Sequence, residues 1–224
     1  MLVAWILCHD NQCLCFAGVW TSVFSLGTEH KIKRNQLLTT IPLLAKEWRL
    51  SLELKADNFG SSFKQVLHMS IGGKGVGKFA KYGDRTPAIW THPSRGFQIS
   101  SAVRGKHSFG KYIKKLPSPG EWVKIEIGQA LESRRRVVSK GSRKSRRVVS
   151  TTNVNVFIFF ITFNGRRVVS TGNPEASEFE NVMVFSSSPW YSPVNGSIKN
   201  LIIENRIHKY LDKRALYKGY YRVT

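Results

Sequence analysis

The chain has 224 residues, 42% of them hydrophobic and six of them tryptophan; this suffices for a core and excludes wholesale disorder. Its 35 Lys and Arg outnumber 14 Asp and Glu, leaving a formal charge of +21, a field that favours anionic partners and says nothing of fold. All three cysteines, Cys8, Cys13 and Cys15, precede residue 16, which excludes a disulfide framework or a cysteine-built zinc site in the main body.

Residues 1–40 are set apart as a leader and a candidate signal peptide. Met1–Cys8 is apolar, His9–Gln12 interrupts, and Cys13–Leu26 is mostly apolar again. A secretory signal wants a basic start and one unbroken apolar run; here both are missing, although Ala17-Gly18 or Gly27 offers a small-residue cleavage region. No apolar run reaches the roughly 18 residues of a spanning helix, so a soluble mature protein is expected.

From residue 41 the pattern is that of strands. Trp48, Leu50, Leu52 and Leu54 alternate with Arg49, Ser51, Glu53 and Lys55, and Val123, Ile125 and Ile127 alternate with Lys124 and Glu126. This period of two marks half-buried strands. Residues 97–103, 181–185 and 197–203 are weaker versions. Residues 155–163 are apolar on both sides, as in a central strand covered on both faces. Asn164-Gly165 is a hairpin signal, and Asn195-Gly196 is expected as a turn before the last strand. No stretch keeps a helical period. Short strands separated by Gly, Pro and Ser clusters predict an all-β jelly-roll sandwich of two antiparallel sheets.

Two segments stand out by charge. Arg-Arg-Val-Val-Ser occurs at 135–139, 146–150 and 166–170, and residues 133–150 hold eight Lys/Arg and no acid. This stretch reads either as a solvated excursion or as a protruding basic ribbon, the third copy being the strand that returns from Asn164-Gly165. Residues 207–224 form a basic, Tyr-rich tail.

The chemical motifs are thin. Gly72-Gly-Lys-Gly-Val-Gly77-Lys78 follows a strand-like run and matches a phosphate loop up to its last letter. That loop needs a hydroxyl for magnesium and a following helix. Phe79 stands at the hydroxyl position, and Gly83 and Pro87 interrupt any helix, so the segment reads as a loop between strands. The six histidines show no ligand spacing, and His68, alternating away from Leu67 and Met69, is expected at the surface. Four Asp are too few for an acidic calcium cage; a single calcium on loop carbonyls stays compatible with the sequence. No cofactor or metal is assigned. Asn195-Gly-Ser197 is a glycosylation acceptor in a secreted chain.

Several stretches resemble one superfamily: Ile41–Trp48, Tyr82–Trp90, Trp122–Gln129, Phe163-Asn-Gly165 and Ser188–Leu201. In order and spacing they are similar to the concanavalin A-like lectin/glucanase superfamily, which includes laminin G-like modules. More narrowly they resemble extracellular modules of this type in cnidarian-like animals. The likeness spans 41–206 and implies a secreted recognition module, with 133–152 as a basic insertion. The glucanase branch carries two Glu four residues apart with an Asp between. Glu126 and Glu132 instead stand six apart with Gly128 between, roughly 20 Å in an extended strand, whereas a catalytic pair needs under about 10 Å. No catalytic residue is assigned.

Three functions compete. A non-catalytic module for carbohydrate or an extracellular protein needs aromatic plates and planar polar groups; Tyr82, Asp84, Arg85, Trp90, His92, Trp190 and Tyr191 are its candidates. A polyanion binder for heparin-like glycan or acidic membrane would use Arg134, Arg135, Arg136, Arg143, Lys144, Arg146 and Arg147, with steep salt dependence. Nucleic-acid binding ranks third, since no recognition motif accompanies the charge.

Overall fold

A computed structural model describes the backbone of residues 3–9, 12–72, 81–114, 116–140 and 147–211, and the side chains of 18–72, 81–114, 116–135 and 152–206 among them. The described residues form strands and no helix. In chain order these are β1 (Val3–His9), β2 (Gln12–Leu26), β3 (His30–Lys31), β4 (Leu37–Leu44), β5 (Trp48–Asn58), β6 (Lys64–Ser70) and β7 (Ala88–His92). There follow β8 (Gly96–Val103), β9 (Lys106–Ile113), β10 (Trp122–Lys140), β11 (Arg147–Phe163), β12 (Arg166–Gly172), β13 (Phe179–Phe185) and β14 (Asn195–Leu211).

They make two antiparallel sheets. One runs β1-β2-β14-β5-β10-β11-β12 with β3 beside β14; the other runs β4-β13-β6-β7-β8-β9. The fold is therefore the all-β jelly-roll sandwich that the alternating segments predict. Trp48, Leu50, Leu52 and Leu54 of β5 and Val123, Ile125 and Ile127 of β10 enter one core with Leu67, Ile89, Ile99, Val182 and Val184 of the other sheet. The register Ile125↔Leu52 puts both alternating sets on the same face. Each such side chain contributes about 1.5–3 kcal/mol by burial.

The 155–163 run is β11, one place from the sheet edge, and Ile158–Ile161 are buried on both faces. Phe160 points away from the core, yet it is covered: Arg167 Cζ lies 4.5 Å over its ring. Gly128 makes the room, because a Cβ there would stand 2.7 Å from Phe160 Cζ and 2.8 Å from the Trp48 carbonyl oxygen. Asn164 and Gly165 both take positive φ, 45° and 80°, between β11 and β12, the backbone of a type I′ hairpin. Asn195-Gly196, expected as a turn, instead opens β14 with a register irregularity against β5, since Gly196 approaches the Lys55 carbonyl too closely for any Cβ.

The sheet forks where β5 begins. Trp48 pairs with Gln129 of β10 and Asn205 of β14. Beyond these, β10 continues with β11 only, and β14 with β2 only. Glu47, 4% exposed, sits at the fork. Its Oε2 accepts the Leu131 N–H at 2.9 Å and Arg206 Nη1 at 3.1 Å, and its carbonyl accepts the Arg206 N–H at 2.9 Å. One buried carboxylate thus ties the roots of both arms.

The β10/β11 arm is the basic segment. Pairs run unbroken from Ser133↔Asn155 to Val138↔Ser150 and end at Lys140↔Arg147, so the ribbon alternative describes it. The other arm takes in much of the expected leader and the start of the tail, since β2 pairs along β14 from Leu201↔Leu26 to Leu211↔Cys15. Residues 73–80, holding most of the Gly/Lys motif, lie outside the described residues between β6 and β7, as do 212–224 of the tail.

Candidate functional site

In the six-stranded sheet one transverse row, Leu67, Ile89 and Ile99, faces the core. Adjacent rows must face outward. One is Gln65↔Trp90↔Gln98↔Tyr112 across β6, β7, β8 and β9; the next is His68↔Ala88↔Ser100↔Gly110. The first is aromatic and amide-bearing, and the second is small over three of its four strands. A tall row beside a low one leaves a hollow.

Part of this face is roofed by residues 186–194. Gln65 holds the roof: its N–H donates to Ser192 O at 2.8 Å, its carbonyl accepts the Val194 N–H at 2.9 Å, and its Oε1 accepts the Ser188 N–H at 2.7 Å. Trp190 and Tyr191 lie in the roof between two prolines, which limit its conformations. The Trp190 ring is 5.9 Å from His68, and Tyr191 meets Trp90 edge-on at 5.7 Å.

Beside the roof lies an open pocket of about 190 Å³ lined by Phe63, Arg85, Trp90, Gln98 and Tyr191. Trp90 is 3% exposed and forms its floor. Arg85 Cζ lies 5.1 Å over the Trp90 ring, within cation–π range. Arg85 Nη1 donates to Ser108 Oγ at 2.8 Å and Nη2 to Tyr191 Oη at 3.4 Å. Burial pushes the Arg85 pKa down and Tyr191 opposes this; a guanidinium keeps its charge at neutral pH regardless. Among the described residues, no Asp or Glu lines it. Trp90 Nε1 and Ser100 Oγ are buried with no hydrogen-bond partner among the described residues.

Of the residues singled out in the sequence, Arg85, Trp90 and Tyr191 meet in this pocket. His92 stands at its edge, its ring 4.5 Å from Phe63 and its Nδ1 accepting the Ser94 N–H at 3.2 Å. Trp190 lies in the roof against His68. Asp84 braces its own loop, accepting from Ser70 Oγ at 3.3 Å and the Lys81 N–H at 2.8 Å. Tyr82 donates to Glu175 O at 2.9 Å and stacks 5.7 Å from Phe179, apart from the pocket, and burial raises its pKa. Sequence reasoning missed Phe63 and Gln98. Gln98 was legible as an outward residue between Phe97 and Ile99; its alignment with Trp90 depends on register, which no local pattern reveals.

His68 is a correction. It faces outward as its alternation implies, yet it is 4% exposed because the 186–194 loop covers that face. Nε2 donates to Asp84 O at 2.6 Å and Nδ1 accepts from Gln65 Nε2 at 2.9 Å, the neutral Nε2–H tautomer. Burial pushes its pKa down to about 4.

The likenesses to known proteins are distant. No protein-family model and no curated protein matches the sequence. Among solved structures, the chain is similar to a sialidase CBM40 from Ruminococcus gnavus bound to α2,3 sialyllactose, at 12% identity and a TM-score of 0.48, over 88% of this chain and 98% of that one. It is also similar to a heptameric SAP-like pentraxin from Limulus polyphemus, at 11% identity and 0.45, over 80% and 73%. A third is the alginate lyase Aly36B with alginate tetrasaccharide, at 14% and 0.41, over 90% and 83%. These three stay under a TM-score of 0.5, and what they bind is a property of those proteins.

On the basic ribbon, Arg134 and Arg135 are exposed. Glu132 serves two cations there, Arg167 Nη1 at 2.8 Å and Arg134 Nη2 at 3.5 Å, and Arg134 also donates to Ser170 Oγ at 3.1 Å. Arg143, Lys144 and Arg146 lie outside the described residues. Arg136 and Arg147 are strand residues whose side chains are not described. Among the described residues no three His, Cys, Asp or Glu gather as a metal site, and no helix is long and apolar enough to cross a membrane.

Proposed function

We propose that the chain is a non-catalytic carbohydrate-recognition module acting outside the cell, with the Arg85–Trp90–Gln98–Tyr191 pocket as its sugar site. The observation that carries this is the open pocket in which Trp90 and Tyr191 meet Gln98 and Arg85, setting aromatic rings beside an amide and a guanidinium. A sugar presents an apolar C–H face and a rim of hydroxyls. Aromatic rings match the first and planar amide and guanidinium groups the second. At about 190 Å³ the pocket is below the roughly 300–1,000 Å³ of drug-sized sites, which suits one ring of a longer glycan. Among the described residues, the lining offers no carboxylate pair of the kind that glycoside hydrolysis uses.

Binding to an array of neutral, uronic and sulfated glycans, at about 0.15 M and about 0.5 M salt, tests this. The expected result is retention of one glycan class at both salts and its loss in Tyr191→Ala and Gln98→Ala. Binding that survives both variants contradicts it. A second reading is polyanion capture by the β10/β11 ribbon, supported by exposed Arg134 and Arg135 on an arm beyond the sandwich. Its mark is loss of binding at high salt in wild type and in an Arg134→Ser/Arg135→Ser variant already at low salt.

A further inference from the structure

We infer that the sugar taken by this pocket carries an acetamido group, and that this group reaches the floor beside Gln98. The inference rests on the pocket being the sugar site.

The floor is too covered to serve as a stacking plate. Trp90 is 3% exposed; Arg85 Cζ lies 5.1 Å over its ring, and Tyr191 meets it edge-on at 5.7 Å. A pyranose needs a broad open aromatic face for its C–H side. Trp90 offers only a small area at the bottom of an opening of about 190 Å³, so a substituent is what reaches it. Phe63 and Tyr191 are half-buried and keep surface for the sugar ring itself. Three of the five lining residues are aromatic. Such a lining suits a methyl group and does nothing for a hydroxyl.

The polar group left for that substituent is Gln98. Arg85 is engaged by Ser108 Oγ at 2.8 Å and by Tyr191 Oη at 3.4 Å. The Gln98 amide is half-buried and makes no hydrogen bond among the described residues. It stands beside Trp90 in register, and its end lies 3.7 Å from where a Cβ on Gly110 would be. Gly110 is exposed, so the missing side chain leaves that end of the amide open. A carboxamide presents donors and an acceptor in one plane. An acetamido group answers with an N–H, a C=O and an adjoining methyl. A hydroxyl uses one end of Gln98 and none of the aromatic surface, and an acetyl ester brings methyl and carbonyl without the N–H. Of these three, the acetamido group alone uses both ends of the amide and the aromatic lining.

The test uses uncharged monosaccharides, so that the overall charge of +21 does not dominate. Titrations followed by NMR compare methyl glycosides of N-acetylglucosamine, N-acetylgalactosamine and N-acetylmannosamine with those of glucose, galactose and mannose. The expected result is binding of at least one N-acetyl sugar, with its parent hexose weaker by roughly tenfold or more. The N-formyl form of that sugar keeps the amide and lacks the methyl; it should bind about threefold to fivefold more weakly. Gln98→Leu, close in volume and without the amide, should erase most of the preference over the parent hexose. If Gln98→Leu fails to fold, Gln98→Glu keeps the test alive by retaining acceptors and removing the donor; it should narrow the preference at unchanged melting temperature.

Equal binding of N-acetyl sugar and parent hexose, with Tyr191→Ala still abolishing both, overturns the acetamido group while leaving the pocket as the sugar site. A preference that persists in folded Gln98→Leu, or an N-formyl sugar that binds as well as the N-acetyl one, overturns it likewise. N-acetyl sugar binding that Tyr191→Ala does not change overturns the pocket reading, and no binding of any of these sugars overturns both.

Discussion

Arg85 and Arg134 carry the same charge in opposite settings. Arg85 is buried on an indole, with hydroxyl partners at 2.8 and 3.4 Å among its contacts, and lines an open pocket. Arg134 is exposed on a two-stranded ribbon and shares Glu132 with Arg167. The first position can discriminate geometry, because desolvation and a rigid setting make each hydrogen bond count. The second supplies field and association rate, and its contacts are screened by salt. A surplus of cations in a sequence therefore points to the ribbon, while composition does not distinguish the one arginine that lies in the pocket.

The ribbon's root gives the largest expected effect. Glu47→Ala removes the carboxylate shared by Leu131 N–H and Arg206, leaving a buried guanidinium without that anion, and should destabilise the fold by about 3–5 kcal/mol in urea unfolding. A loss under about 1 kcal/mol would show that the arms do not depend on the fork.

Beneath the pocket roof, His68 makes stability depend on pH. Its folded pKa of about 4 lies below its ordinary 6.5, so the unfolded chain binds the proton first on acidification. The contribution is complete above pH 6.5, falls as pH drops toward 4, and is lost in full below that. The change is on the order of 2 kcal/mol between pH 6.5 and 5. A His68→Gln variant should unfold with that slope removed; an unchanged slope would place the titrating group elsewhere.

Gly128→Ala should cost about 1–3 kcal/mol, since its Cβ meets Phe160 Cζ at 2.7 Å and main chain at 2.8 Å. Thermal melting checks it, and a neutral result would mean that Phe160 swings aside. Smallest of all in stability is Arg134→Ser/Arg135→Ser. It should change unfolding by less than about 0.5 kcal/mol while flattening the salt dependence of polyanion binding. If that slope is unchanged, the ribbon is not where polyanions bind.

What was legible in the sequence follows from period. Trp48–Leu54 and Val123–Ile127 show which face is buried because alternation is a local property, and the positive-φ turn at Asn164-Gly165 is equally local. The pocket is not local. Arg85, Trp90 and Tyr191 stand out as residue types, but their meeting depends on the β6/β7 register and on a loop about a hundred residues away in the chain. His68 shows the same limit, since alternation gives its direction and the 186–194 roof decides its burial. The ribbon depended on whether 133–140 finds a partner, and that partner is 147–155 on the other side of six basic-rich residues.

The central claim is that the Trp90 pocket holds the ligand. The most direct measurement is a nitrogen–proton correlation spectrum of the six indole N–H groups, titrated with the best-bound glycan at about 0.5 M salt, where loose ion pairing is screened. Trp90 Nε1, which has no partner among the described residues, should shift progressively to saturation, its signal assigned by loss in Trp90→Phe. Binding with the Trp90 and Trp190 signals unmoved, and shifts confined to the amides around Arg134 and Arg135, would contradict the account.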